Sequence, residues 1–426
     1  MNTSSIILAA IAVSTFSCVS HVSAAPAESS TITTATESPL NLKNLSPQQR
    51  QAAAAELAEL GITPDYSYNL AKEEAAMEGD AELLRKLLIA AADENGVNAH
   101  LEITLLFAVI NNHADCVKLL LQAGANARFI DGLGKTYVYM ATENNAVECL
   151  KLLIAAGADL NEKAADGNAP LHIAILEEYS ECLSLLLNNG AKPNVKNKDS
   201  ETPLHLAVQR KAPLSTLELL LTHGADTTVF DAAGFTPLDY CIFNDSAEQL
   251  RFFLNAGASI ETRNAYNDTL LHTAAARSTE CSKILIAAGA NMKAGNHCGD
   301  TPLDIAAEAL NEDTLKTLLA AGANPNACLE DSTYLPTIYR TLRPRRDNPT
   351  CLKLIIDAGA DVNVAASLTG LTPLHKAAAL DLPECVKVLL NAGANPHSKN
   401  QKGLRPVQVA SPRCGEIIRA FNTNND

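Results

Sequence analysis

The sequence predicts an all-α solenoid of stacked helix pairs with short β-hairpin fingers, because two short motifs recur in constant phase along most of the 426 residues. The first motif is Thr-Pro-Leu-His or a variant of it, and its first position falls at residues 104, 136, 169, 202, 236, 269, 301, 333, 372 and 405. The second motif is Gly-Ala followed by Asn, Asp, Lys or Ser, and its glycines are Gly124, Gly157, Gly190, Gly224, Gly257, Gly289, Gly322, Gly359 and Gly393. A period of about 33 residues indicates stacked repeats that bury their apolar faces against their neighbours.

Each period contains the signals of two helices. Cys116, Leu119 and Leu120 are spaced i, i+3, i+4 and so form one apolar helical face. Gly124 follows where a helix end needs a left-handed residue. The proline of the first motif lies in the first turn of the other helix, where its missing N–H costs nothing. The pattern resembles the ankyrin repeat family over residues 67–421, which implies a tight turn, two antiparallel helices and a protruding hairpin in each repeat.

The ends of the array differ from its middle. The spacing predicts about ten or eleven repeats, with an irregular repeat and an insertion at 333–371 that either interrupts the stack or carries a contact. Ahead of the array, a capping-box spacing predicts a helix within 46–66. Residues 25–45 are rich in Ser, Thr and Pro and are expected to form a flexible linker.

The first 24 residues are predicted to be a signal peptide, cleaved after Ala24. Their apolar stretch is too short to span a bilayer, and we expect an exported, bacterial-type array that is secreted or periplasmic. Lipid attachment at Cys18 is disfavoured, because the residues before it lack the aliphatic side chain of a lipobox. No other stretch is predicted to cross a membrane.

Composition narrows the class of partner. The net charge is −15, which opposes binding to nucleic acid or to anionic membranes. Phosphate-binding and nucleophile motifs are absent from the sequence, as are cysteine and histidine groups with zinc spacing. We therefore expect no enzymatic activity, no cofactor, no metal and a protein partner of unknown identity. The alternative is a structural spacer of the cell envelope that associates with itself.

Two residue types recur once per repeat and are expected to be structural. Six cysteines occupy one position of the second helix, where stacked helices are too far apart for disulfides, so we predict buried, reduced side chains at Cys116, Cys149, Cys182, Cys281, Cys351 and Cys385. Cys298 and Cys328 lie in neighbouring fingers, and a disulfide between them is left open. The motif histidines are expected to bond the turn backbone and the motif threonine: His172, His205, His272 and His375.

The resemblance implies that partners bind the concave surface made by the fingers and the first helices. Positions seven and eight after the start of the first motif are expected to face that surface, and nearby aromatic residues are expected to anchor it. The candidate partner-binding residues are Tyr137, Tyr139, Glu143, Leu176, Gln209, Arg210, Phe235, Phe243, Arg277 and Glu308.

The insertion contains the one basic concentration in this acidic chain. It is either a solvated loop or a docking point for an acidic partner, an anionic lipid or an envelope polymer. The residues of this second candidate contact are Arg340, Arg343, Arg345 and Arg346.

Overall fold

The computed structural model describes residues 40–63, 66–92, 100–327 and 335–425. The predicted signal peptide, its Cys18 and Cys328 lie outside these ranges, as does most of the predicted linker. Within the described residues the secondary structure is helical, with isolated β-bridges in two fingers and in one inter-helix loop, and with no longer strands. The predicted all-α solenoid of helix pairs is therefore confirmed.

The chain divides into two compact units, Met1–Ala191 and Lys192–Asp426. The helices described in the first unit are α1 (Pro47–Glu59), α2 (Tyr66–Glu78), α3 (Ala81–Ala91), α4 (Leu101–Ile110), α5 (Ala114–Gln122), α6 (Tyr137–Glu143), α7 (Val147–Ala155), α8 (Pro170–Leu176) and α9 (Ser180–Asn188). Each repeat pairs a first helix with a second one, beginning with α2 and α3. Helix α1 packs on α3 and covers the start of the stack.

The second unit continues the same pattern of first and second helices. Its helices are α10 (Pro203–Gln209), α11 (Leu214–Thr222), α12 (Pro237–Phe243), α13 (Ala247–Asn255), α14 (Leu270–Arg277), α15 (Thr279–Ala287), α16 (Pro302–Ala309), α17 (Glu312–Ala320), α18 (Thr337–Arg340), α19 (Pro349–Asp357), α20 (Pro373–Ala379), α21 (Pro383–Asn391), α22 (Pro406–Val409) and α23 (Pro412–Asn425).

Helix ends follow the local sequence. Ser46 caps α1 by accepting a hydrogen bond from the Gln49 amide at 3.2 Å, while the Gln49 side chain accepts one from the Ser46 amide at 2.9 Å. Gly224, with φ +87°, ends α11, and the next amide, that of Ala225, donates to the Leu220 carbonyl at 3.0 Å. A residue with a Cβ is strained at this φ, which explains the recurring glycine.

The core lies between stacked helices and consists mainly of leucine. Leu217 and Leu220 of α11 are fully buried, as is Phe253 of α13. The six in-phase cysteines are buried free thiols, as predicted from their position. Burial raises the pKa of Cys116 and of Cys351 to about 11, so these thiols stay protonated.

Asparagine side chains join the ends of neighbouring second helices. Asn194 donates to the Gly224 carbonyl at 2.9 Å and accepts from the Asp226 amide at 2.8 Å. Asn326 makes the same pair of bonds to Gly359 and Asp361, at 2.7 and 2.9 Å. These bonds satisfy carbonyls that a helix end leaves unpaired.

The irregular repeat remains part of the stack. Its first helix, α18, packs on α16 and α20, and its second helix, α19, packs on α17 and α21. Tyr339 of α18 is buried, and its hydroxyl donates to the Val364 carbonyl at 2.7 Å and to the Leu371 carbonyl. The insertion is therefore absorbed in a short loop between α18 and α19 without breaking the contacts on either side.

Candidate protein-binding surface

A hydrogen-bonded turn positions the finger that precedes α12. One carboxylate oxygen of Asp231 accepts from the amides of Ala233 and Phe235, at 2.9 and 3.0 Å. The other oxygen accepts from the Tyr240 hydroxyl at 2.5 Å. Asp231 thus ties the finger to α12 and holds the rings of Phe235 and Tyr240 on the same side of the repeat.

Four aromatic side chains meet on this side of the second unit, and we call them the aromatic platform: Phe235, Tyr240, Phe243 and Tyr266. Phe235 is central, with ring centroids 4.8 Å from Phe243, 5.6 Å from Tyr266 and 6.4 Å from Tyr240. Tyr240 and Phe243 are 5.5 Å apart in an edge-to-face arrangement. Such geometries are the favoured ones for aromatic pairs.

The platform is open to solvent. Tyr266 is 52% exposed, and the other three rings are partly exposed. The guanidinium of Arg277 lies 4.8 Å from the Phe243 ring centroid and extends the platform onto α14. Burial and the hydrogen bond to Asp231 raise the pKa of the Tyr240 hydroxyl, so it stays neutral.

Three members of this surface were predicted from the sequence, and two were not. Phe235, Phe243 and Arg277 were named, whereas Tyr240 and Tyr266 were not. Tyr266 follows Asn264, whose side chain accepts from the Tyr266 amide at 3.0 Å, as Asp231 does from Ala233 in the preceding finger. The recurrence of Asp or Asn at this finger position was the signal that would have located Tyr266 at a finger tip.

The two tyrosines proposed in the first unit are not surface residues. Tyr137 is fully buried, stacks on Phe129 at 5.3 Å and donates its hydroxyl to the Glu102 carbonyl at 2.6 Å. Tyr139 is 2% exposed and packs with Ala164 and Ile173. The prediction that they anchor a partner is wrong, because their rings fill space between repeats.

The remaining candidates lie at the ends of first helices in each of the two units. Glu143 is exposed and bonds Lys135 at 2.8 Å, and Leu176 is half-buried. Gln209 donates to Glu201 at 2.7 Å, and Arg210 is exposed.

The motif histidines are buried in the turns. Nδ1 of His205 accepts from the Thr202 amide at 3.1 Å, and its Nε2 donates to the Phe235 carbonyl in the next finger at 3.2 Å. His272 and His375 make the same bonds, to the carbonyls of Asp300 and Leu404 at 2.9 and 3.0 Å. Nδ1 of His172 accepts from the Ala169 amide at 3.0 Å.

The arginine run is divided between a helix and a turn. Arg340 ends α18 and pairs with Asp300 and with Glu308, while Arg343 pairs with Glu308 at 2.7 Å. Arg345 and Arg346 are exposed in a turn that an isolated bridge between Arg343 and Arg346 closes. Only part of the predicted basic loop is therefore solvated.

Metal binding, membrane spans and the Cys298–Cys328 disulfide can be assessed only for the described residues. In the described ranges no group of three or more His, Cys, Asp or Glu is arranged to hold a metal ion, and no helix there is long and apolar enough to cross a membrane. Cys298 is an exposed free thiol. Because Cys328 lies outside the described residues, the disulfide left open between them finds no support in the structure.

Comparison with known proteins identifies the repeats. A family model for three copies of the ankyrin repeat matches most of the array, over residues 73–164, 105–197, 171–264, 248–327 and 344–421. The ankyrin repeat and SOCS box protein 16 of Homo sapiens is 34% identical over 168 residues, 38% of this chain and 35% of that protein. The mitochondrial disaggregase of Bos taurus is 33% identical over 159 residues, 36% of this chain and 22% of that protein.

The comparison with solved structures found a second ankyrin repeat protein. The ankyrin repeat domain of Bcl-3 is 27% identical, with a TM-score of 0.45, and the match covers 52% of this chain and 100% of that domain. The chain spans about a third or less of the two curated relatives described above. The family model, by contrast, covers well over half of the present sequence. The chain therefore belongs to the ankyrin repeat family.

Proposed function

We propose that this chain is a non-enzymatic scaffold that binds a protein partner on its finger and first-helix side, with the aromatic platform as the anchor. Ankyrin repeats are protein–protein interaction modules, and solenoids present long surfaces for binding. The observation that carries the proposal is the cluster of four partly exposed rings with Arg277 stacked on one of them. A few residues carry most of the binding energy in protein interfaces, and tyrosine and arginine are enriched among them.

The platform is pre-organised for binding. Asp231 fixes the Tyr240 hydroxyl, and the Tyr266 hydroxyl donates to the Ala233 carbonyl at 2.9 Å. The Ala265 amide donates to the Gly234 carbonyl at 2.8 Å, which joins the two fingers that hold Phe235 and Tyr266. Because these rings are held before a partner arrives, little side-chain entropy is lost on association.

Export to a secreted or periplasmic location is part of the same proposal. It is supported by the composition of residues 1–24, in which a short apolar stretch is followed by a small-residue cleavage site that ends at Ala24. The test is N-terminal sequencing of the chain from the medium and the periplasm, where we expect it to begin at Ala25. A chain that stays inside the cell with residues 1–24 still attached would contradict export.

The platform is tested by site-specific photo-crosslinking in the full chain. A photoreactive phenylalanine analogue replaces Tyr266 in one variant and the exposed Arg251 of α13, a second helix, in a control. We expect Tyr266 to cross-link a distinct protein that the Arg251 position does not capture. Adding Phe235→Ala and Phe243→Ala to the Tyr266 variant should reduce this product by about tenfold or more, as the loss of two anchors predicts.

Three results would count against the platform. Equal cross-linking from positions 266 and 251 would indicate nonspecific contact. An unchanged product after the two alanine substitutions would place the anchor elsewhere. If the chain cross-links only to itself, and its native mass rises with protein concentration, the self-associating spacer would be favoured.

A further inference from the structure

The first-helix side of the irregular repeat carries three cations, two of which form ion pairs with carboxylates. Arg340, Arg343 and Lys376 meet there, and the carboxylates that face them are Asp300 and Glu308. Both carboxylates are engaged by the arginines. In the part of the chain that the structure describes, no carboxylate lies within ion-pair distance of the Lys376 ammonium, so one positive charge is left without a counterion.

Lys376 has donors to spare. It lies in α20, and its Nζ donates to the Tyr339 carbonyl at 2.7 Å while lying 5.7 Å from the Tyr339 ring centroid. An ammonium group has three N–H donors, and this carbonyl takes one of them. The side chain is half-buried, and no other hydrogen bond from its ammonium group is formed within the described residues.

A second donor in the same cluster is also unused. Nε of Arg340 is buried and has no hydrogen-bond partner among the described atoms, although the other guanidinium nitrogens of that residue bond Asp300 and Glu308. A buried donor left without a partner costs about 1–3 kcal/mol. Burial and the nearby Arg340 and Arg343 lower the pKa of Lys376 to about 8, while Glu308 opposes this shift.

We propose that Lys376, Arg340 and Arg343 form a binding site for a side-chain carboxylate in an acidic segment of the protein partner. This inference rests on the proposed function, because it assumes a protein ligand. One uncompensated positive charge matches one carboxylate, whereas a phosphate group would bring close to two negative charges. The exposed Arg345 and Arg346 on the adjoining turn are positioned to meet further acidic residues of the same segment.

The test measures how fast each lysine of the full chain reacts with an acylating reagent, as a function of pH, by mass spectrometry. Lys387 of α21, which is exposed and paired with Glu384, is the internal control. Without ligand, Lys376 should titrate near pH 8. A short polyglutamate peptide should raise its apparent pKa by at least one unit and slow its labelling near pH 8 by about fivefold or more. A polyglutamine peptide should leave Lys376 unchanged, and neither peptide should change Lys387.

Several outcomes would overturn the site. Labelling of Lys376 that is insensitive to polyglutamate would exclude carboxylate binding. An equal response to inorganic phosphate at the same ionic strength would mean that any oxyanion fills the site. A variant with Glu330→Gln and Asp331→Asn, two residues of the segment outside the described ranges, detects a site filled by the chain itself. If the pKa of Lys376 is lowered in this variant but not in the unmodified chain, the site is filled by the chain's own carboxylates and the proposal is wrong.

The readout separates this inference from the proposed function. The peptide response of Lys376 does not depend on the aromatic platform, so it should persist in the Phe235→Ala, Phe243→Ala chain. If photo-crosslinking at Tyr266 fails while polyglutamate still protects Lys376, the platform proposal falls and the carboxylate site stands. If cross-linking succeeds and polyglutamate has no effect, only the carboxylate site falls.

Discussion

At the scale of single residues, two different side chains satisfy the same turn. In three repeats with a threonine at the start of the motif, the imidazole accepts from the threonine amide through Nδ1 and donates to the next finger through Nε2. In the repeats that begin at Thr236 and Thr301, a buried aspartate accepts from the threonine amide at 2.9 and 2.8 Å. An ionised aspartate only accepts hydrogen bonds, so it cannot donate to a carbonyl of the next finger as histidine does. Its second oxygen therefore needs a hydrogen-bond donor from another part of the chain.

The histidine role leads to a stability prediction at His205. Replacement by alanine leaves the Thr202 amide and the Phe235 carbonyl without their partner in a buried turn. We expect the free energy of unfolding to fall by about 1–3 kcal/mol, measured by urea denaturation. His397→Ala, at an exposed position, is the matched control and should change stability by less than about 0.5 kcal/mol.

The same variant should show a defined pH dependence. Burial lowers the pKa of His205 below the ordinary 6.5, and the hydrogen bond to the Phe235 carbonyl only partly opposes this shift. Stabilisation by this group is therefore present above the unfolded pKa and is lost as pH falls through the folded pKa. The cost of His205→Ala should be largest near pH 7 and should shrink toward about pH 5. A cost that is constant or grows over this range would contradict the neutral tautomer.

At the scale of elements, the aspartate turns bind neighbouring helices through a threonine. Thr273 of α14 donates to Asp239 of α12 at 2.8 Å, and Thr337 of α18 donates to Asp304 of α16 at 2.6 Å. Each threonine thus supplies the donor that its aspartate requires. Burial raises the pKa of Asp239, while these hydrogen bonds oppose the rise.

A double-mutant cycle measures this helix-to-helix bond. Thr273→Val leaves one oxygen of the buried Asp239 unpaired and should cost about 1–3 kcal/mol in chemical denaturation. In an Asp239→Ala background the same substitution should cost clearly less, giving a coupling energy of about 0.5–3 kcal/mol. Thr222→Val, on an exposed hydroxyl, is the control. Additive effects of the two substitutions would show that the bond contributes nothing.

At the largest scale, the repeats within each of the two units are stabilised by their neighbours. The described helices pack mainly on the adjacent repeat, and the irregular repeat keeps this pattern on both sides. In such an array, stability is close to a sum of terms for single repeats and for adjacent pairs. Local opening is therefore expected to spread from a weakened repeat to its neighbours before it reaches distant ones.

A core substitution in the last helix tests this locality. Ile418 of α23 is fully buried, and Ile418→Ala should cost about 2–5 kcal/mol locally. Hydrogen–deuterium exchange should speed up in α20 to α23 and remain unchanged in α4 and α5. Glu416→Ala, at an exposed position of the same helix, should alter neither region. A uniform loss of protection along the chain would indicate a single cooperative unit instead.

The repeat architecture could be predicted from the sequence alone, because the period, the helix caps and the glycine turns are local signals that act within one repeat. So could the burial of the in-phase cysteines, which share one helical position. Both follow from a spacing that is constant along the chain, so no knowledge of neighbouring repeats was needed.

Which side chains face solvent between repeats depends on tertiary packing and could not be predicted from the motifs. Tyr137 and Phe243 both belong to first helices, yet one fills the core and the other joins the platform. The difference arises because Phe129 and Glu102 enclose Tyr137, whereas Phe243 is bounded by Phe235 and Arg277 on an open side. The surroundings of Lys376 likewise depend on Tyr339 and Arg340, more than thirty residues away in sequence. Contacts of this range are set by stacking, which a periodic motif does not specify.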